Sequence, residues 1–333
     1  YGTTPEYNGA TPQKTGTEYT SYEFSGWAPS VDAVTGNATY TAQFTAKFVG
    51  EPIAGVVPVF SEDGKTVRYG FYPQTHVSDQ AVIAELDNLQ PMSIGWYLFD
   101  GDYYVKQTAQ VCNGESYTFD DGSDIVDGTE YWFKCEVITW RVLSAADGAY
   151  YLIADKLLDA QAYYTDYTDR TAGGNTVYAN NYGQSTIRSW LNNDFYTVAF
   201  AQDNSYVAAT TVNNGAASTA TASNLYVCGD TTDKVYLSSY QDCINTEYGF
   251  ASTAADKSTS RECKTTDYAR ARGAWYNTKS DLKYNGSYWT RSPSDKYYYC
   301  AWNVNSGGYL SEYAVDGSSH CVRPCITLNY SIA

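Results

Sequence analysis

Residues 297 to 321 read YYYCAWNVNSGGYLSEYAVDGSSHC, a stretch ruled by Tyr, Ser, Asn and Gly, with Glu312 and Asp316 its only charges besides His320. Trp302, Val304, Leu310, Val315 and Val322 read as its framework. Around them stand Tyr297, Tyr298, Tyr299, Cys300, Asn303, Asn305, Tyr309, Ser311, Glu312, Tyr313, Ser318, Ser319 and His320. Tyrosine offers a large rigid contact area at low entropy cost, while Ser, Gly and Asn offer adaptable hydrogen bonds. This is the chemistry of recognition, and we take these residues with Trp302 as the candidate ligand-binding site. The plainer reading is that Tyr and Ser are common throughout a chain with 35 tyrosines.

Other groups invite other chemistry. Asp120-Asp121-Gly122-Ser123-Asp124, then Asp127 and Glu130, gather oxygens that could hold calcium. Their spacing does not fit an EF-hand loop. Asp-Gly pairs are ordinary turn residues, so a solvated acidic turn is expected and no metal is assigned. Eight cysteines are spread thinly, with no C-x-x-C pair and only two histidines, which argues against zinc and against a dense disulfide scaffold. The cysteines read as small hydrophobes in or beside strands, with a Cys300–Cys321 disulfide as an alternative. Nucleophilic catalysis needs a placed histidine, but His76 belongs to a turn and His320 to the tail. No facing pair of carboxylates stands out for glycoside hydrolysis. We therefore assign no catalytic residue and no cofactor. Arg141, Arg188, Asp233, Asp267, Arg291 and Arg323 could form an anion site, but buried Arg–carboxylate pairs tying loops together are the expected reading.

The bulk numbers narrow the partners. A hydrophobic content of 43% permits a buried core, and a formal charge of −16 repels phosphate backbones. Nucleic acid is an unexpected partner, and so is an anionic membrane. No apolar run reaches the length of a membrane span, so no direct membrane insertion is expected, and no stretch reads as a signal peptide.

The elements that must position these residues are short. Tyr19 to Ser25 and Ala38 to Phe48 alternate Thr, Tyr and Phe as strands, with Trp27 plugging a small core. Residues 49 to 64 read as a linker. TVRYGFYPQ reads as a strand and residues 79 to 89 as an amphipathic helix. EVITWRVLSA and AYYLIADKLL read as core strands joined at Asp147-Gly148. STIRSWLNNDFYTVAF reads as a helix capped by Ser185 or Thr186, and TTDYARARGAW as one capped by Thr265 or Thr266. DKVYLSSYQDCI reads as a strand entering a helix, and YWTRS, CAWNV, YLSEYAV and CVRPCITLNY as closing strands. No regular helix–strand alternation occurs, so the expected class is α+β.

Two resemblances extend this reading. Tyr1-Gly2-Thr3-Thr4-Pro5, Phe24-Ser25-Gly26-Trp27 and the run Val34 to Ala42 resemble the second part of an internalin-type B-repeat, the Listeria–Bacteroides repeat. The resemblance implies a β-grasp-like module over residues 1–48 of a bacterial surface protein. The family's opening strands have no counterpart, so the copy is partial and the chain is expected to be a piece of a longer one.

Residues 65–333 carry Tyr69-Gly70-Phe71-Tyr72-Pro73-Gln74, Trp140-Arg141-Val142-Leu143, Ile187-Arg188-Ser189-Trp190-Leu191-Asn192, Trp289-Thr290-Arg291-Ser292-Pro293 and Val322-Arg323-Pro324. These resemble an uncharacterised domain of surface proteins of Gram-positive anaerobes. The closing motifs are similar to C-type-lectin-like and formylglycine-generating-enzyme-like domains. That similarity implies an irregular, loop-rich domain displayed outside the cell, bacterial or phage-encoded, that binds a protein or glycan. The variable proteins of diversity-generating retroelements share this fold, and residues 297 to 321 look like their mutated segment. An oxidase using Cys321 and Cys325, another hydrolase, or a structural spacer of a surface fibre are the alternatives. The cysteine spacing is one residue short of the oxidase pair.

Overall fold

The computed structural model describes residues 2–15, 20–34, 36–48, 55–114, 116–255 and 257–330. Tyr1, Tyr19, Thr35 and the first part of the expected linker, residues 49–54, lie outside them. Near the start, strands Thr20–Ala28 and Thr41–Phe48 form an antiparallel hairpin with a bulge between Phe24 and Gly26. Trp27 is half-buried there, with the Tyr7 ring 4.9 Å away and the Phe24 ring 5.3 Å away.

The rest of the protein is built on two sheets. The first has eight strands. Its main path runs Val235–Leu237, Pro324–Asn329, Ala149–Ala154, Glu130–Ala146, Thr66–His76, Val59–Phe60. Asp102–Thr108 also pairs with Glu130–Ala146, and Tyr97–Phe99 pairs with Asp102–Thr108. The 17-residue Glu130–Ala146 strand is its spine. It turns into Ala149–Ala154 at Asp147 and Gly148, whose φ values of 50° and 77° suit a tight hairpin. The second sheet has five strands, in the order Asp159–Ala160, Cys321–Val322, Tyr288–Pro293, Cys300–Val304, Leu310–Ala314. The chain passes between the sheets at Arg323, leaving Cys321–Val322 in one and Pro324–Asn329 in the other. Trp140 of the first sheet and Trp289 of the second belong to one buried cluster with Leu152, Val322 and Ile326.

The expected α+β class is corrected by this architecture: 36% of the residues are in strands and 14% in helices, so the protein is mostly β. The helical stretches are where the local pattern puts them, but each is brief. Gln80–Leu86 is seven residues long, with Asp79 as its N-cap. The run after the Ser185 cap is broken into α-helix Thr186–Trp190, a π turn at Leu191–Phe195 and α-helix Tyr196–Ala199. Asp267–Ala271, capped by Thr266, is five residues long. A single helical face of this length buries too little apolar surface to form a layer of its own.

Gly70 shows how tightly one such helix meets the sheet. It sits in a bulge of Thr66–His76 with φ of 73°, and an added Cβ would lie 2.8 Å from the Ala199 carbonyl oxygen. Both the backbone conformation and the space demand glycine. Gly70→Ala should lower stability by more than about 1 kcal/mol, read as a shift in the urea midpoint at unchanged slope.

Candidate functional site

Strands Cys300–Val304 and Leu310–Ala314 form a hairpin in which Asn303 pairs with Ser311 and Ala301 with Tyr313. Side chains alternate across a strand, so Asn303, Ser311 and Tyr313 share one face while Cys300, Trp302 and Glu312 share the other. The first face opens onto a cleft of about 360 Å³. Asn305, Ser319 and His320 complete its tail-derived wall, and Asn113, Trp275 and Ser287 close it from elsewhere in the chain. A second cleft of about 810 Å³ adjoins it, sharing Asn113, Tyr313 and Ser319 and adding Cys300, Glu312, Ser318, Arg272 and Asp316.

The remaining tail residues lie apart from these walls. Tyr297 and Tyr298 are exposed on the preceding loop, and the Tyr299 ring touches both, at 5.7 and 5.1 Å. Trp302 turns to the other face, against Tyr240 at 4.8 Å. Tyr309 is exposed where the hairpin turns. His320, expected on the surface, is buried: its ring lies 4.4 Å from Trp289 and 4.3 Å from Tyr313. Its Nδ1 is buried without a hydrogen-bond partner. Burial pushes the imidazole pKa down to about 4, so the ring is neutral at neutral pH.

The cleft is held by hydrogen bonds within the hairpin. Asn303 Nδ2 donates to the Ser311 carbonyl at 3.1 Å, and Ser311 Oγ donates to Asn303 Oδ1 at 2.9 Å. Asn305 Oδ1 accepts from the Gly307 and Tyr309 amides at 3.0 and 3.1 Å, which fixes the turn. On the opposite face Ser294 Oγ and Lys296 Nζ engage Glu312. Sequence reasoning missed Asn113, Trp275 and Ser287. Each is far from the tail in sequence and carries no local signature. The Trp275 amide donates to the Ser319 carbonyl at 3.0 Å, and the Cys321 amide to the Ser287 carbonyl at 2.7 Å, which ties both segments to the tail.

The other candidate groups serve the scaffold. Asp120 Oδ1 accepts from Arg270 Nη2 at 2.7 Å, and Asp121 takes His76 Nδ1 at 3.1 Å and the Ser123 hydroxyl at 2.6 Å. These contacts use the acidic loop to fasten neighbouring segments. Among the described residues, no group of three or more His, Cys, Asp or Glu side chains gathers as a metal cluster.

The arginines divide into two kinds. Arg188 pairs with Asp233 at 2.7 Å and Arg291 with Asp242 at 2.8 Å, while Arg270 pairs with Asp267. Arg141 instead donates to the Ser260 and Tyr248 carbonyls, and Arg323 to the Ala154 carbonyl and the Tyr288 hydroxyl.

All eight cysteines are free thiols. Cys321 and Cys325 are buried in different sheets. Burial pushes the Cys325 thiol up to about 12 and Cys321 well above the usual range, which suppresses the thiolate. Only Cys228 is partly exposed. A thiol reagent such as Ellman's should therefore modify at most one cysteine per native chain, and all eight once the chain is unfolded in guanidinium. Rapid modification of several native thiols would contradict this packing.

Comparison with known proteins adds one match. No curated protein and no solved structure matches the chain. A family model described as a domain of unknown function, DUF6273, matches residues 147–330. The match begins at the Asp147-Gly148 hairpin turn and takes in the whole second sheet and the tail-derived cleft walls. It spans more than half of the sequence, and the chain belongs to this DUF6273 family.

Proposed function

We propose that this is a recognition protein, displayed at the cell surface, that binds a protein or glycan ligand through its C-terminal face without covalent chemistry. One observation carries the reading: hairpin 300–314 and the loop before Cys321 contribute to two adjoining clefts, the smaller walled mainly by Asn, Ser and Tyr side chains. Tyr313, which lines both clefts, is half exposed, and Tyr297, Tyr298 and Tyr309 offer further exposed amphipathic rings on the loop before the hairpin and at its turn. No described helix is long and apolar enough to cross a membrane.

The test is a binding screen of the full chain against glycan and protein arrays. A companion variant carries Tyr297→Ser, Tyr298→Ser, Tyr309→Ser and Tyr313→Ser. A ligand held by the parent and lost by the variant, at equal melting temperature, is the expected result. Identical binding profiles would sink the reading. We also propose that the segment is diversified by a retroelement, which population sequencing of the gene's 3′ end checks. Variation should fall on exposed positions such as Tyr297, Tyr298, Tyr309, Tyr313 and Ser318, and spare buried Ala301, Val304, Val315 and Val322. A uniform 3′ end with no template repeat nearby would refute it.

A further inference from the structure

The smaller cleft is chemically unlike the rest of the molecule. The chain carries a formal charge of −16, yet no charged side chain lines this cleft. Its walls are amides, hydroxyls, two aromatic rings and a buried imidazole. The neighbouring cleft, by contrast, holds Arg272, Glu312 and Asp316. An uncharged wall gives an anionic or cationic ligand no counter-charge to offset its desolvation. It does suit a ligand rich in hydroxyl groups, each of which can donate and accept.

The polar groups are pre-set. Asn303 and Ser311 hold each other, so neither must be ordered when a ligand arrives. Asn305 commits its Oδ1 to the turn. Trp275 and Tyr313 add rings on which the apolar face of a sugar can lie. Beneath Tyr313, His320 keeps a ring nitrogen, Nδ1, buried and without a hydrogen bond. A buried polar atom left unpaired costs about 1–3 kcal/mol and marks a place where a partner is missing. The Tyr313 ring above it is half exposed, and the missing Cβ of Gly317 leaves room for it: an added Cβ would lie 2.8 Å from that ring.

A peptide fits less well. Leu310–Ala314 is the edge strand of its sheet, the natural place to add a strand. That edge is closed at both ends, because the Leu310 amide donates to the Ala254 carbonyl and the Ala314 carbonyl accepts from the Gly317 amide. The cleft, about 360 Å³, lies near the small end of ligand pockets, which run from about 300 to 1,000 Å³.

We propose that the cleft between Trp275, Tyr313 and His320 is a binding site for a neutral saccharide unit. This rests on the recognition reading above and names the ligand class of the same face.

The experiment uses the full chain, tetramerised through a biotin tag. Probes are a printed array of neutral and of sialylated or sulfated glycans, and a displayed random-peptide library. Tyr313→Ala removes one ring at an exposed position, and Gly317→Ala displaces that ring without removing it. Leu225→Ala, at a position 82% exposed and outside both clefts, is the control. The expected result is binding to neutral glycans that falls at least about tenfold in Tyr313→Ala, falls measurably in Gly317→Ala, and is unchanged in Leu225→Ala. A preference for the anionic glycans overturns the proposal, as does neutral-glycan binding that Tyr313→Ala leaves intact. Peptides that bind in place of glycans and are lost in Tyr313→Ala overturn the saccharide but leave the recognition reading standing. No ligand from either probe set overturns both.

Discussion

Asp242→Ala should lower the stability of the protein by about 3 kcal/mol, measured by urea unfolding at neutral pH. Asp242 lies on the short helix Tyr240–Cys243, where it completes a capping box with Ser239. Its Oδ2 accepts from Arg291 Nη1 at 2.8 Å, from the Ser239 amide at 2.7 Å and from the Tyr151 hydroxyl at 3.1 Å. Those three donors come from different places: Arg291 from the second sheet, Tyr151 from the first, and Ser239 from the helix start. Arg291 is itself buried and also donates to the Leu237 and Asn213 carbonyls. Removing the carboxylate strands a guanidinium between two sheets without its counter-charge. Breaking such a pair costs about 3–5 kcal/mol, and we take the lower figure because the Asp242 side chain keeps 18% of its surface in water. Pairing Asp242→Ala with Arg291→Met should recover a large part of the loss, since the cost lies in the orphaned charge. A loss under about 1 kcal/mol in the single variant would show that this node does not hold the sheets together.

That node also marks how far the sequence could be read. The arginine is visible as part of the Trp289-to-Pro293 motif, and a buried Arg–carboxylate pair is the expected reading. The partner was not legible, because Asp242 belongs to a helix 49 residues away with its own local reason to be acidic. Local signals read well. Ser185, Thr266 and Asp79 cap the helices that follow them, and Asp147-Gly148 turns the hairpin its composition predicts. Long-range consequences did not. The class was misjudged because strands such as Tyr97–Phe99 and Tyr117–Thr118 are too short to show a period, and they tip the balance to β.

Tyrosine misled in a more instructive way. A Tyr-rich chain suggested contact surface, yet Tyr69, Tyr163 and Tyr288 are fully buried. Their hydroxyls donate to the carbonyls of Asp203, Arg291 and Arg261. Here tyrosine is a core residue that also bonds irregular backbone, which a loop-rich β protein needs. Composition therefore locates no surface in this protein. The tail is distinguished by its register, which puts Asn303, Ser311 and Tyr313 on one face of a hairpin.

His320 gives the second large effect, one that pH reads directly. Held between Trp289 and Tyr313, the ring has a pKa pushed down by burial to about 4, against 6.5 for a free histidine. Folding therefore opposes its protonation. Between pH 6.5 and 4 the unfolded chain holds a proton at this residue that the folded chain lacks, so stability falls as pH falls through that window. Below about pH 4 both states are protonated and the histidine contributes no further loss. One proton carried across one pH unit corresponds to about 1.4 kcal/mol, so the whole window is worth about 3 kcal/mol. Carboxylates add their own acid dependence, but Asp121, whose pKa burial pushes up and the bonds to Ser123 and His76 together pull down to about 2, loses its share at lower pH. His320→Phe keeps an aromatic ring in the stack and removes the titration. The difference in unfolding free energy between pH 7 and pH 4 should then be about 3 kcal/mol smaller in the variant than in the parent. Equal pH slopes would mean that the imidazole is already solvated in the folded chain. In that case Tyr313 stands away from it, and the cleft is open before any ligand arrives.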